Sequence, residues 1–157
     1  MGYNIIDIID KLILIEEKAV EIYQKICESK DCSLRFKAIS NILMKEELRH
    51  IKYYNELKEK FIKSDLKDIS LHIYDKISKL IDKFRNNMDI PQTGDYKVLL
   101  KGALELEKKN VALLISIQGS LVTSEKDVNR VAYNILSEMI KEEQRHVKNL
   151  EPYVEEV

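Results

Sequence analysis

The chain has 157 residues, 26 basic and 27 acidic side chains, a formal net charge of −1, and a composition 45% hydrophobic and 34% charged. The charges are interspersed and form no basic stripe, which argues against a nucleic-acid partner. No run is long and apolar enough to span a membrane, and IIDIIDKLILI near the N-terminus is broken by Asp7, Asp10 and Lys11 with no small-residue cleavage site behind it.

Two prolines, four glycines and no tryptophan leave few helix breakers in a chain rich in Leu, Ile, Lys and Glu. This composition, at a length that suits one domain, predicts a single all-α unit. The first helix is expected over about 4–28, ahead of the polar SKDCS turn, and the second over about 33–63. Cys27 and Cys32 flank that turn five positions apart and make no C-x-x-C, so free thiols and a reducing cytoplasm are expected. Residues 64–92 are too many for a turn, and ISLHIYDKISKLIDKF within them reads as a short amphipathic helix. His72 lies there without a glutamate three positions before it and reads as a surface or packing residue. A third helix is expected over about 93–119, after the Pro91–Gly94 punctuation. A fourth is expected over about 124–150, capped by Ser124 with Asp127 and ending before Pro152. The expected fold is a four-helix bundle of two antiparallel hairpins joined by a long crossover that carries the extra helix.

Steps of four and three along each helix select a stripe that faces the bundle axis. In order, the stripes are Ile9, Leu12, Glu16, Ala19, Tyr23, Ile26; Phe36, Ser40, Leu43, Glu47, His50, Tyr54, Leu57; Tyr96, Leu100, Ala103, Glu107, Asn110, Leu114, Ile117; and Ala132, Leu136, Met139, Glu143, His146, Leu150, Tyr153. One glutamate interrupts each stripe near its middle. In KEELRH (45–50) and KEEQRH (141–146), histidine follows that glutamate one turn later. The stripe selects Glu16 over Glu17 and Glu107 over Glu105. The repeated hexapeptide points to a duplicated helix hairpin.

Four carboxylates at one level of an apolar core repel one another, and each unpaired buried ion costs several kcal/mol, on the order of the effective desolvation penalty. Two divalent cations balance them, and Glu and His three apart share a helix face and reach one ion. Glu46 and Glu142 are expected in solvent. Arg49 and Arg145 either tether nearby carboxylates or stand as exposed surface charges.

EEKAVEIYQKI, ALELEKKNVALLI and the two E-x-x-H segments together resemble the rubrerythrin-type branch of the ferritin-like superfamily over essentially the whole chain. The resemblance implies a ferritin-like fold in which Glu16, Glu47, His50, Glu107, Glu143 and His146 hold two iron ions, with manganese also compatible with such ligands. It implies bridging roles for Glu47 and Glu143. Tyr23 is implied as a hydrogen-bond donor to a ligating carboxylate, against the alternative of plain core packing. Asn110 stands where rubrerythrins carry an extra glutamate, Leu114 where a second tyrosine is expected, and the rubredoxin module with paired C-x-x-C motifs is missing from this sequence. The implied activity is a di-iron oxidoreductase that reduces peroxide or O2, or oxidises Fe(II), with electrons from a separate rubredoxin-like donor. The alternatives are iron sequestration or delivery, and a structural helical module without turnover. A homo-oligomer is expected, a dimer first, with the apolar positions of the crossover helix as one possible interface.

Overall fold

The computed structural model describes residues 2–30, 32–90, 95–124 and 130–155. These residues form five helices: α1 (Ile5–Glu28), α2 (Leu34–Phe61), α3 (Leu71–Asn86), α4 (Tyr96–Ser124) and α5 (Arg130–Glu155). No strand occurs among the described residues; one isolated bridge pairs Tyr3 with Ile69. No described helix is long and apolar enough to cross a membrane.

Local chemistry sets the helix starts. Asn4 and Asp7 form a reciprocal capping box on α1: the Asn4 side chain accepts from the Ile6 amide at 2.8 Å, and Asp7 accepts from the Asn4 amide at 2.9 Å. The hydroxyls of Ser33 and Ser70 cap α2 and α3 by accepting from Phe36 and Ile73. The Asp95 carboxylate accepts from the Lys97 amide at 2.9 Å where α4 begins. Each such cap contributes about 1 kcal/mol. The expected box of Ser124 with Asp127 and the Pro91–Gly94 punctuation fall outside the described residues, although Ser124 itself closes α4. Thus α4 runs five residues past the expected Gly119, and α5 begins at Arg130.

The expected stop before Pro152 is not observed, because α5 continues through it to Glu155. Proline costs one amide donor there, so close to the helix end that only one bond is lost. Val154 packs against the core and Leu150 is buried, which holds the last turn in place.

Side-chain contacts between the helices give their directions. Lys11 of α1 pairs with Asp82 at 3.0 Å, and Tyr3 stacks on Tyr74 with ring centroids 3.8 Å apart, so α3 runs parallel to α1. The Arg35 guanidinium lies 4.2 Å over the Tyr96 ring, so α4 starts beside the start of α2. Gln118 donates to the Tyr133 carbonyl and the Ser137 hydroxyl, closing the α4/α5 hairpin. α1 and α5 therefore point one way and α2 and α4 the other. The crossover helix carries the chain back along α1, and its apolar face (Ile73, Ile77, Ile81) is buried within its own chain. His72 is exposed.

The core is a stack of apolar layers between the four long helices. The α2 stripe and the α1 stripe are buried along their whole lengths. In the other pair, Tyr96 and Leu100 are only half-buried and Tyr153 is 63% exposed. These three sit at the end of the bundle where α4 begins and α5 ends. Leu99 is fully buried instead of Leu100.

Candidate metal centre

Halfway along the bundle the apolar layers are interrupted. Glu16 (α1), Glu47 and His50 (α2), Glu107 (α4), and Glu143 and His146 (α5) meet there, none more than 3% exposed. The helix spacing dictates this meeting: Glu and His three apart occupy one face, and the hairpins bring the four faces to one level. His50 Nδ1 lies 3.5 Å from Glu16, 3.6 Å from Glu47 and 3.4 Å from Glu143. His146 Nδ1 lies 3.4 Å from Glu107. The two imidazoles stand edge to face with centroids 4.8 Å apart.

Ligand atoms fall into two overlapping groups, Glu47, His50, Glu107 and His146, and Glu16, His50 and Glu143, each with its atoms within 4.8 Å of one another. Such groups of buried carboxylate and imidazole can hold a metal ion. The donor set also fits a cation for another reason. Glu47 Oε1, Glu107 Oε2, Glu143 Oε2 and both nitrogens of His50 and of His146 are buried with no hydrogen-bond partner. Buried polar atoms are seldom left this way unless an ion or water satisfies them.

The acids do not all ionise without a cation. Burial, then the charges of Glu107 and Glu16, pushes the Glu47 carboxyl well up; burial, then Glu16 and Glu107, does the same to Glu143. Burial acts against Glu16 too, but the close approach of Glu47 and His50 holds it below the ordinary range. Burial likewise opposes the ionised form of Glu107, which the close approach of His146, Glu143 and Glu47 holds far down. Burial would lower His50, yet the Glu16 carboxylate 3.5 Å from it raises it. Burial and mutual charge thus favour the protonated form at Glu47 and Glu143, and a cation bound among them would favour the ionised form instead.

Neighbouring side chains hold the ligands. Asn110 on α4 donates to Glu16 at 3.1 Å, so it serves as a donor where a further acid was the alternative. Tyr54 on α2 donates to Glu143. Tyr23, expected in that donor role, is fully buried, but its hydroxyl has no partner among the described residues. Reading the α2 stripe placed Tyr54 on the right face without assigning it a task. The available signal was its position seven residues beyond Glu47, the same interval that separates Tyr23 from Glu16.

Glu142 corrects an expectation. It is not in solvent: its side chain is 13% exposed and bound by Arg49 at 2.6 Å and Arg145 at 2.8 Å. Those bonds, Arg145 first and Arg49 after the opposing effect of burial, bring its pKa down to about 2. Glu142 lies 3.9 Å from His50 Nε2, behind the imidazole. Arg49 also grips Glu46 at 2.9 Å, so both arginines tether carboxylates. Glu46 is half-buried.

Comparison with protein-family models, curated proteins and solved structures finds no match to this chain.

Proposed function

We propose that this is a non-haem di-iron carboxylate protein of the rubrerythrin-type, ferritin-like class, acting as an oxidoreductase on peroxide or O2. The observation that carries the reading is the set of six buried ligating groups with unpartnered oxygens and nitrogens, drawn from four helices at one level. The order of helix directions, with a long crossover between two hairpins, fits such bundles.

Glu16, Glu47, His50, Glu107, Glu143 and His146 would hold the metal. Iron bound there supplies two one-electron oxidations, which with two protons convert one peroxide to two waters. Asn110 fixes the Glu16 carboxylate and Tyr54 fixes Glu143, so these two carboxylates are oriented before anything binds. Glu142, clamped by Arg49 and Arg145, sets a negative charge behind His50 and favours the imidazole with its Nδ1 turned to the cluster. Leu12, Ile13, Leu114 and Met139 keep bulk water from the carboxylates. Electrons to repeat the cycle would come from a separate donor protein of the rubredoxin class.

Metal analysis of protein purified without oxygen, then a spectrum after peroxide, tests this. About two irons per chain and a new oxo-bridged ferric absorption are expected. Metal-free protein after iron loading, or an unchanged spectrum in protein holding iron, would overturn the reading.

A further inference from the structure

We infer that small hydrogen-bonding ligands of the peroxide class reach the metal centre from its face toward the α1–α2 turn, into a space bordered by Ala19, Ala103, Tyr23 and Ser40. The inference rests on the metal reading above and adds which face of the site is open.

The helix directions sort the surrounding side chains onto two faces. Toward the α1–α2 turn lie the residues after Glu16 on α1, before Glu47 on α2 and before Glu107 on α4. The duplicated hairpins give each such position a counterpart on the opposite face. Ala19, three residues after Glu16, corresponds to Asn110, three after Glu107. Ala103, four before Glu107, corresponds to Leu12, four before Glu16. Ser40, seven before Glu47, corresponds to Leu136, seven before Glu143. In these three pairs the smaller side chain is on the side of the turn, whereas Tyr23, seven after Glu16, corresponds to the smaller Leu114, seven after Glu107; all eight are buried.

Hydrogen bonding divides the same way. On the far face the donors are committed, Asn110 to Glu16 and Tyr54 to Glu143. On the near face the hydroxyls of Tyr23 and Ser40 are both without a partner at 0% exposure. Tyr23 is aimed at the cluster. Helical side chains lean toward the N-terminus of their helix, which for Tyr23 is the direction of Glu16. Burial first, then the charges of Glu47, Glu107 and Glu16, keeps the proton on its oxygen, so it stands as a donor facing carboxylates. Two buried hydroxyls without protein partners, beside two alanines where the mirror positions hold Asn and Leu, form a site for water or another small polar molecule. A ligand there would accept from Tyr23 and meet the metal positions beside His146.

Azide binding to protein loaded with Co(II), read from the visible spectrum, tests the inference. Wild type should take up about two Co(II) per chain and then bind azide. Ala103→Leu, which copies the mirror residue, should weaken azide about tenfold, and Ser40→Ala about fivefold, with Co(II) uptake unchanged. Leu136→Ala, on the other face, should leave azide affinity unaltered. Equal azide affinity in wild type and Ser40→Ala, or a loss only in Leu136→Ala, overturns the inference, as does azide that binds no Co(II) form. A crystal structure of metal-free protein adds a second readout: ordered water on Tyr23 or Ser40 is expected, and a dry space contradicts it. Failure of wild type to bind Co(II) at all would instead sink the metal reading.

Discussion

Tyr54 of α2 donates a hydrogen bond to Glu143 of α5, joining the two helices that carry the repeated E-x-x-H segments. The bond crosses between hairpins and satisfies one oxygen of an acid whose other oxygen has no partner. Tyr54→Phe keeps the ring and removes only the donor. The expected loss is about 1–3 kcal/mol of stability, the cost of leaving a buried acceptor unmet. Urea unfolding of the metal-free variant measures it, and an unchanged midpoint would show that the bond does not matter to the fold.

The second prediction concerns pH. Glu47 and Glu143 hold their protons well above the ordinary 4.5, because of burial and then the neighbouring Glu16 and Glu107 charges. A group raised in the fold stabilises it below its unfolded value, and that contribution is lost as pH climbs through the folded value. His50, raised from 6.5 despite burial by the Glu16 carboxylate beside it, acts in the same direction. Glu16, Glu107 and Glu142 are depressed, so their contributions are lost as pH falls below 4.5. Metal-free protein should therefore be most stable on the acid side of neutrality and weaken as pH rises above 4.5. Saturating Mn(II) should flatten the alkaline arm. Parallel urea titrations with chelator and with metal decide it; superimposable curves would count against the cluster.

Glu142 offers a third test. Glu142→Gln keeps the shape but removes the charge behind His50 and loosens the grip of Arg49 and Arg145. Metal affinity should drop about tenfold, the low end for groups supporting a ligating histidine, since 3.9 Å is beyond hydrogen-bond reach. Calorimetric titration with Co(II) reads it directly. Arg49→Lys should behave similarly, because an ammonium cannot span Glu46 and Glu142 as the guanidinium does.

Asn110 supplies the fourth. Asn110→Leu, matching the aliphatic surroundings, leaves one Glu16 oxygen without its donor. Thermal unfolding should show a loss of about 1–3 kcal/mol in metal-free protein. Asn110→Asp should be worse, since it adds a charge to carboxylates that already repel. Equal stability for the two variants would mean that the amide donor contributes nothing.

Much of this arrangement was legible in the sequence because burial follows helical period. The stripe through Phe36, Glu47, His50 and Leu57 coincides with the buried face of α2. The same counting chose Glu16 and Glu107 over Glu17 and Glu105, and both chosen acids are buried. Period could not say how far a helix extends past its last facing neighbour, so Tyr153 was placed inside and α5 was stopped too early. Nor could it say which tyrosine bonds which carboxylate. Tyr23 and Tyr54 stand at equal intervals from their glutamates, and only the relative placement of α2 and α5 gives Tyr54 an acceptor. Glu142 was misjudged for a related reason: its burial comes from two arginines, one of them on another helix.

The central claim is that cations account for acids gathered inside an apolar bundle, and metal stoichiometry tests it most directly. Protein purified without oxygen and equilibrated with Fe(II) should retain about two ions per chain by elemental analysis after dialysis, and Glu47→Ala and Glu143→Ala should each fall below that. Wild-type protein that retains no iron, or variants that retain as much as wild type, would contradict the account.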